Sequence, residues 1–132
     1  MAEFTNIPQK YDELFAGFVQ PNVTIPVILQ TGNGVLKRGT VLGRVSQLPE
    51  SDLYAGTPIL VPVNSAATDG SQEPYAILAD WEVDTTTRDR RAVAFTDGEF
   101  NRDALIFGGT DTVEMHEVAM RKAGMITKRI VK

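Results

Sequence analysis

The side chains best suited to chemistry in this 132-residue chain are few. His116 is its one histidine, with Asp111, Glu114 and Glu117 close by in sequence. A catalytic imidazole needs an orienting carboxylate and a nucleophile, and no serine lies in or beside the segment that carries His116. A metal site would want a second ligand one helical turn away, whereas Glu117 is the adjacent residue. His116 is therefore expected at the surface, or at the rim of a helix's apolar stripe. Asp80, Glu82 and Asp84 alternate, so on a strand their carboxylates would share one face. Such a row can hold a cation or supply an acid–base pair. More commonly it is the solvated side of a half-buried strand, here with Ala79, Trp81 and Val83 turned inward. Arg88, Arg90 and Arg91 follow closely enough to pair with it across a hairpin.

Other sets fail on spacing. Gly32-Asn33-Gly34 begins like a dinucleotide fingerprint, but its third glycine would fall at Lys37 and no helix follows. There is no phosphate-binding GxxxxGK[ST] loop, zinc spacing or EF-hand loop. The absence of cysteine removes disulfides, thiolate metal sites and cysteine nucleophiles together. Asn22-Val23-Thr24 fits a glycosylation sequon, yet the first residues have neither a basic nor an apolar signal region, so it is expected to be inert. The sequence thus reads as a protein that is not an enzyme and uses no cofactor or metal.

The elements that must position these residues are mostly strands. Asn33-Gly34 signals a two-residue hairpin turn and Lys37-Arg38-Gly39 a second break, after which Thr40-Val41-Leu42 restarts an extended run. Gly34 and Gly39 are expected at turn positions with positive φ, Gly43 at a bulge or close backbone approach, and Lys37-Arg38 exposed at a tip. Val23–Gln30 reads as a strand made an edge or bulged by Pro26. Pro58–Val63 is β-prone, 64–74 a loop, Tyr75–Val83 a central strand, and Arg91–Phe95 another strand turning back at Thr96–Glu99. One helix is expected over Thr112–Ala123, with Asp111 as N-cap and Glu114 completing a capping box. Its apolar stripe would be Met115, Val118, Ala119 and Ala123, with Gly124 just past its end. Met125-Ile126 extend the chain, and Ile130-Val131 could form a last short strand.

This length fits one domain able to bury a core unaided. It divides into an arm over 1–21 and a single β-rich domain over 22–132. The fold class is α+β and mostly β: a small compact β domain with one C-terminal helix and an extended N-terminal arm. No apolar run approaches the roughly 20 residues of a membrane-spanning helix. Charge is uneven, −9 on residues 1–117 against +5 after them, which suits a helix C-terminus better than nucleic-acid binding. Three of six phenylalanines fall in the first eighteen residues. Phe4, Ile7, Tyr11, Leu14, Phe15 and Phe18 recur at spacings of three or four, as on one face of a short helix over Tyr11–Phe18. Such an arm either packs on its own domain or docks on a partner.

Three ordered motifs carry a family resemblance. Gly34–Gly43 (GVLKRGTVLG) is the first. The second is Ala76-Ile77-Leu78-Ala79, continuing through Asp80 to Thr85. The third is Gly98-Glu99-Phe100-Asn101, then Ala104-Leu105 and Arg121-Lys122-Ala123-Gly124-Met125. Together these resemble the lambda-type head decoration (capsid cement) proteins of tailed phages, over about residues 22–126. Trp81-Glu82 replaces the family's usual acidic pair, and the aromatic arm has no counterpart. The resemblance implies a structural virion protein, made in the host cytoplasm. It would bind the outer surface of the expanded capsid as homotrimers at three-fold positions and cement neighbouring capsomers against DNA pressure. Its implied partners are the major capsid protein and its own copies, with no nucleic acid and no membrane. It tilts the arm toward docking, with Phe4, Ile7, Tyr11, Phe15 and Phe18 as capsid contacts. The alternative is a free-standing carbohydrate or cell-surface binding β domain using Trp81 and the acidic row. A hydrolase using His116 with an acid is the remaining reading.

Overall fold

A computed structural model describes residues 14–17 and 22–129. Nine strands and one α-helix follow in order. They are β1 (Phe15–Gly17), β2 (Val23–Leu29), β3 (Val35–Lys37), β4 (Val41–Gln47), β5 (Pro58–Pro62), β6 (Ala76–Leu78), β7 (Glu82–Asp84), β8 (Arg90–Asn101), α1 (Val113–Ala123) and β9 (Met125–Lys128). The domain is mostly β with one C-terminal helix.

The long strand β8 organises the sheet. It pairs with β2, and the neighbours then run β5, β4 and β6 before β6 pairs back onto β8. The ring is closed, so these strands present few edges to solvent. The expected turn at Thr96–Glu99 does not form. β8 runs through Asp97-Gly98 and exchanges partners there: its first half lies on β2, and its second half lies between β1 and β9.

Alternation along the strands builds two cores. Val27, Leu29, Leu42, Leu60, Ala76, Leu78, Ala92 and Ala94 pack together on one side. On the other, Val41, Ile77, Phe95 and Phe100 meet Leu14, Met120 and Met125. β6 is buried on both faces, which explains its continuous apolar run. The expected strand Tyr75–Val83 is in fact split at Ala79–Trp81. Its second piece, β7, leaves the main sheet to pair with β3 as a separate ribbon, which covers the first core with Leu36 and Val83.

Pro26 does not make β2 an edge strand overall, since β2 lies between β8 and β5. The β5 ladder reaches only Ile28 and Leu29, however, so at Pro26 the strand is paired on one side alone. Asn33-Gly34 closes no hairpin, because β2 and β3 belong to different sheets, and Asn33 keeps a negative φ. Buried Thr85 takes the role of partner strand. Gly32 N donates to its carbonyl at 2.8 Å, while its own N and Oγ1 both donate to Gly34 O at 2.8 Å. The glycines carry the left-handed geometry, with φ of 69° at Gly34 and 96° at Gly39. Gly39 is the third residue of a turn closed by Thr40 N donating to Lys37 O at 3.0 Å.

α1 starts after Thr112, not after Asp111. Its buried side chains are His116 and Met120, an i, i+4 pair, whereas Met115 and Val118 are exposed. The expected stripe therefore faces outward. Ion pairs fix the other side: Arg102 reaches both Glu114 and Glu117 at 3.1 Å, and Thr127 Oγ1 donates to Glu117 at 2.6 Å. The Thr127 bond, opposed by burial and aided by Arg102, holds the Glu117 carboxyl below its ordinary range. A folded-state pKa below the unfolded one gives stability that is present above the unfolded value and lost as pH falls through the folded one. Melting temperature is accordingly expected to be flat above about pH 5 and to fall toward pH ~3. Thermal melts of Glu117→Gln should show a shallower fall, and an unchanged slope would count against this assignment.

Candidate functional site

The base of the N-terminal stretch belongs to the body. Leu14 is buried and its carbonyl accepts from Asn101 N at 2.6 Å. Phe15, expected on a helix, is instead on β1, opposite Phe100. Its ring packs edge-on to Phe95 at 5.0 Å and beside Phe100 at 5.5 Å. Of the five residues expected to contact a capsid, Phe15 is thus half-buried in its own domain, while Phe4, Ile7, Tyr11 and Phe18 lie outside the described residues.

Arg38 lies directly on this aromatic group. Its guanidinium stands 5.8 Å from the Phe15 ring centre, 5.5 Å from Phe95 and 5.1 Å from Trp81, and it donates to the Ala79 carbonyl. Lys37 is exposed as expected, but Arg38 is not at a free tip. A planar guanidinium stacks on aromatic faces while keeping its donors, which is why it turns inward here. Nothing in GVLKRGTVLG signals this contact, because all three rings come from distant parts of the chain.

Trp81 also departs from expectation, being 43 % exposed. It borders two hollows. The smaller, about 280 Å³, includes Lys37, Arg38, Glu82 and Ile106; the larger, about 560 Å³, includes Asp80, Glu82, Asp84, Arg90 and Arg91. Glu82 and Asp84 face solvent as expected. Asp84 accepts from Thr86 Oγ1 at 2.5 Å and Thr86 N at 2.9 Å, bonds that, with Arg90 nearby, hold its carboxyl below the ordinary range. Arg90 pairs across as expected, but to a backbone oxygen: Nε donates to Asp84 O at 2.9 Å. Among the described residues no three metal-capable side chains converge.

His116 is buried, contrary to a surface or rim position. Its Nε2 is 2.6 Å from Asp111 Oδ2, and its ring stacks on Phe107 at 5.5 Å. Asp111 also accepts from Ser65 N and Ser65 Oγ, both at 2.7 Å. The carboxylate stands between hydroxyl and imidazole, so the imidazole does not address the hydroxyl as a general base would. The arrangement ties the loop at Ser65 to α1. Position 111 reads as a cap in sequence; its partner Ser65 is 46 residues away.

The fold and its surface define a class: a closed β body whose polar clusters brace loops, with exposed apolar side chains that include Trp81, Leu53 and Val118. Within that class, the model of the bacteriophage lambda head decoration protein D family matches residues 6–124, and the chain belongs to this family. No curated protein matches the chain.

Proposed function

We propose that this protein decorates the outer surface of an expanded phage capsid, as homotrimers at three-fold positions, and cements neighbouring capsomers against DNA pressure. The observation that carries this reading is the family match over residues 6–124, nearly the whole chain. The role is structural and not catalytic. Its partners are the major capsid protein and its own copies, with neither nucleic acid nor membrane, and its place is the virion after synthesis in the host cytoplasm. Phe4, Ile7, Tyr11 and Phe18 contact the capsid, whereas Phe15 holds the base of the arm against Phe95 and Phe100. Several arms per assembly gain avidity as linked sites do, without any single strong contact.

The test is a deletion that stops short of the body. Removing residues 1–12 leaves Leu14 and β1 in place. Co-sedimentation with empty expanded shells is expected to show occupancy falling to a small fraction of that of the full chain. Undiminished occupancy would sink the arm's role. Sedimentation velocity of the free protein reports whether trimers precede the capsid.

A further inference from the structure

We propose that the open edge of β3 takes up an added strand, an extended segment of the major capsid protein; this rests on the decoration reading above. The β3–β7 ribbon stands outside the closed ring, and its hydrogen bonding leaves one side of β3 free. Thr85 N donates to Gly34 O at 2.8 Å and Arg38 N to Trp81 O at 3.1 Å. Each bond continues the register that sets Val35, Leu36 and Lys37 opposite Asp84, Val83 and Glu82. Bonded and non-bonded pairs alternate in an antiparallel ladder, so Gly34, Leu36 and Arg38 turn their backbone groups toward β7. The N–H and C=O of Val35 and the N–H of Lys37 point the other way. The Lys37 carbonyl is already taken, by Thr40 N at 3.0 Å and Thr40 Oγ1 at 2.6 Å. Two donors and one acceptor in a row are what an incoming strand pairs with.

An apolar hollow of about 230 Å³ lies along the same edge. Its lining includes Val35, Lys37, Thr40, Pro62, Ile106 and Phe107 but no residue of β7, which places it on the free side of β3. Val35 is 50 % exposed and Ile106 43 %. In strand addition the main-chain bonds give affinity, and recesses of this kind receive alternate side chains. Lys37 is exposed, and among the described residues it is the one charged group in the lining. The incoming segment therefore carries an apolar side chain for the hollow and a carboxylate where it passes Lys37.

The root of the arm selects the occupant. Gly39 follows β3 by two residues, and a Cβ added to it would lie 3.6 Å from Leu14 Cδ1. Its carbonyl accepts from Ile106 N at 3.0 Å. The N-terminal stretch therefore joins the body at the Gly39 end of the hollow. Tyr11, a capsid contact in the proposed function, is three residues from Leu14, at most about 11 Å along the chain. A shell that touches Tyr11 is thus brought alongside β3.

Hydrogen exchange resolved to single amides tests this, on the full chain free and bound to empty expanded shells. The Val35 and Lys37 amides are expected to exchange about tenfold or more slowly on shells than in solution, with Leu36 little changed. Ile106→Asp places a charge in the hollow and should weaken shell binding about tenfold or more. Val35→Ser should weaken it less. Both positions are exposed, so both variants should melt like the parent. Bound protein whose Val35 and Lys37 amides exchange as fast as in solution would overturn the proposal, as would two variants that bind like the parent. Protection present in the free chain and lost on removing residues 1–12 would give the edge to the arm. Protection that appears on self-association without shells would give it to a second copy, and either result overturns the proposal. A parent that does not co-sediment with shells overturns the decoration reading and this one with it, whereas binding with an unprotected edge overturns this one alone.

Discussion

Gly43→Ala is expected to lower the free energy of unfolding by about 3 kcal/mol and the melting temperature by roughly 10 °C. An added Cβ would lie 2.6 Å from Ser71 Cα and 2.8 Å from Ser71 C, with the Ser71 carbonyl oxygen closer still. These are backbone atoms, and they are pinned. Asn64 N donates to Ser71 O at 3.1 Å, and Ser71 N and Oγ bond Asp69 Oδ1 at 3.0 and 2.6 Å. Gly43 has no positive φ, so the whole cost is crowding. Gly56 supplies the opposite control: φ is 86° with nothing within 4 Å of a new Cβ. Gly56→Ala should therefore cost only the conformational penalty, about 1 kcal/mol. Denaturant unfolding of the two variants separates the effects. A Gly43→Ala protein no weaker than Gly56→Ala would show that the loop 64–74 gives way.

The strands and the helix were legible because period and punctuation are local. Val23–Leu29, the run after Gly39, the apolar Ala76–Leu78 and the segment closed by Gly124 all lie where the sequence points. Pairing is not local, and that is where expectation failed. Asn33-Gly34 has the composition of a hairpin, but Thr85 outcompetes β2 for its backbone. Asp97-Gly98 has the composition of a turn, but β1 and β9 supply new partners and β8 continues. The same limit governs the polar residues. Arg38 is read as exposed because its aromatic neighbours are Phe15, Trp81 and Phe95, none near it in sequence. Met115 and Val118 were expected inside on hydrophobicity alone. They are displaced outward because the buried Asp111 fixes which face of α1 turns in, and that is the His116 face.

This last point leads to the second large effect. Asp111→Ala is expected to destabilise the fold by about 3–4 kcal/mol, beyond what truncating an exposed aspartate costs. The Asp111 side chain is 2 % exposed and that of His116 4 %. Burial alone would raise the Asp111 pKa. Hydrogen bonds from His116 and from Ser65 overcome this and leave it below the ordinary carboxylate value. The group is thus ionised in the fold, and Nε2 of His116 is the donor. Alanine removes three accepted bonds at once and leaves Ser65 N, Ser65 Oγ and the imidazole without that acceptor. Ser65 is exposed and can turn to water, but the imidazole is buried, and an orphaned buried donor costs more than the net worth of the bond it loses. The penalty is therefore shared with His116. The double variant Asp111→Ala/His116→Ala should fall short of the sum of the singles by about 1–2 kcal/mol. The depressed pKa also fixes the pH sign: the contribution of Asp111 is present above its unfolded value and lost as pH falls through the folded one. The gap between parent and Asp111→Ala should accordingly narrow below about pH 4. Equilibrium unfolding across pH measures both quantities. A variant within about 0.5 kcal/mol of the parent at neutral pH, or a gap that widens on acidification, would mean that the Ser65–Asp111–His116 tie does not hold α1 in place.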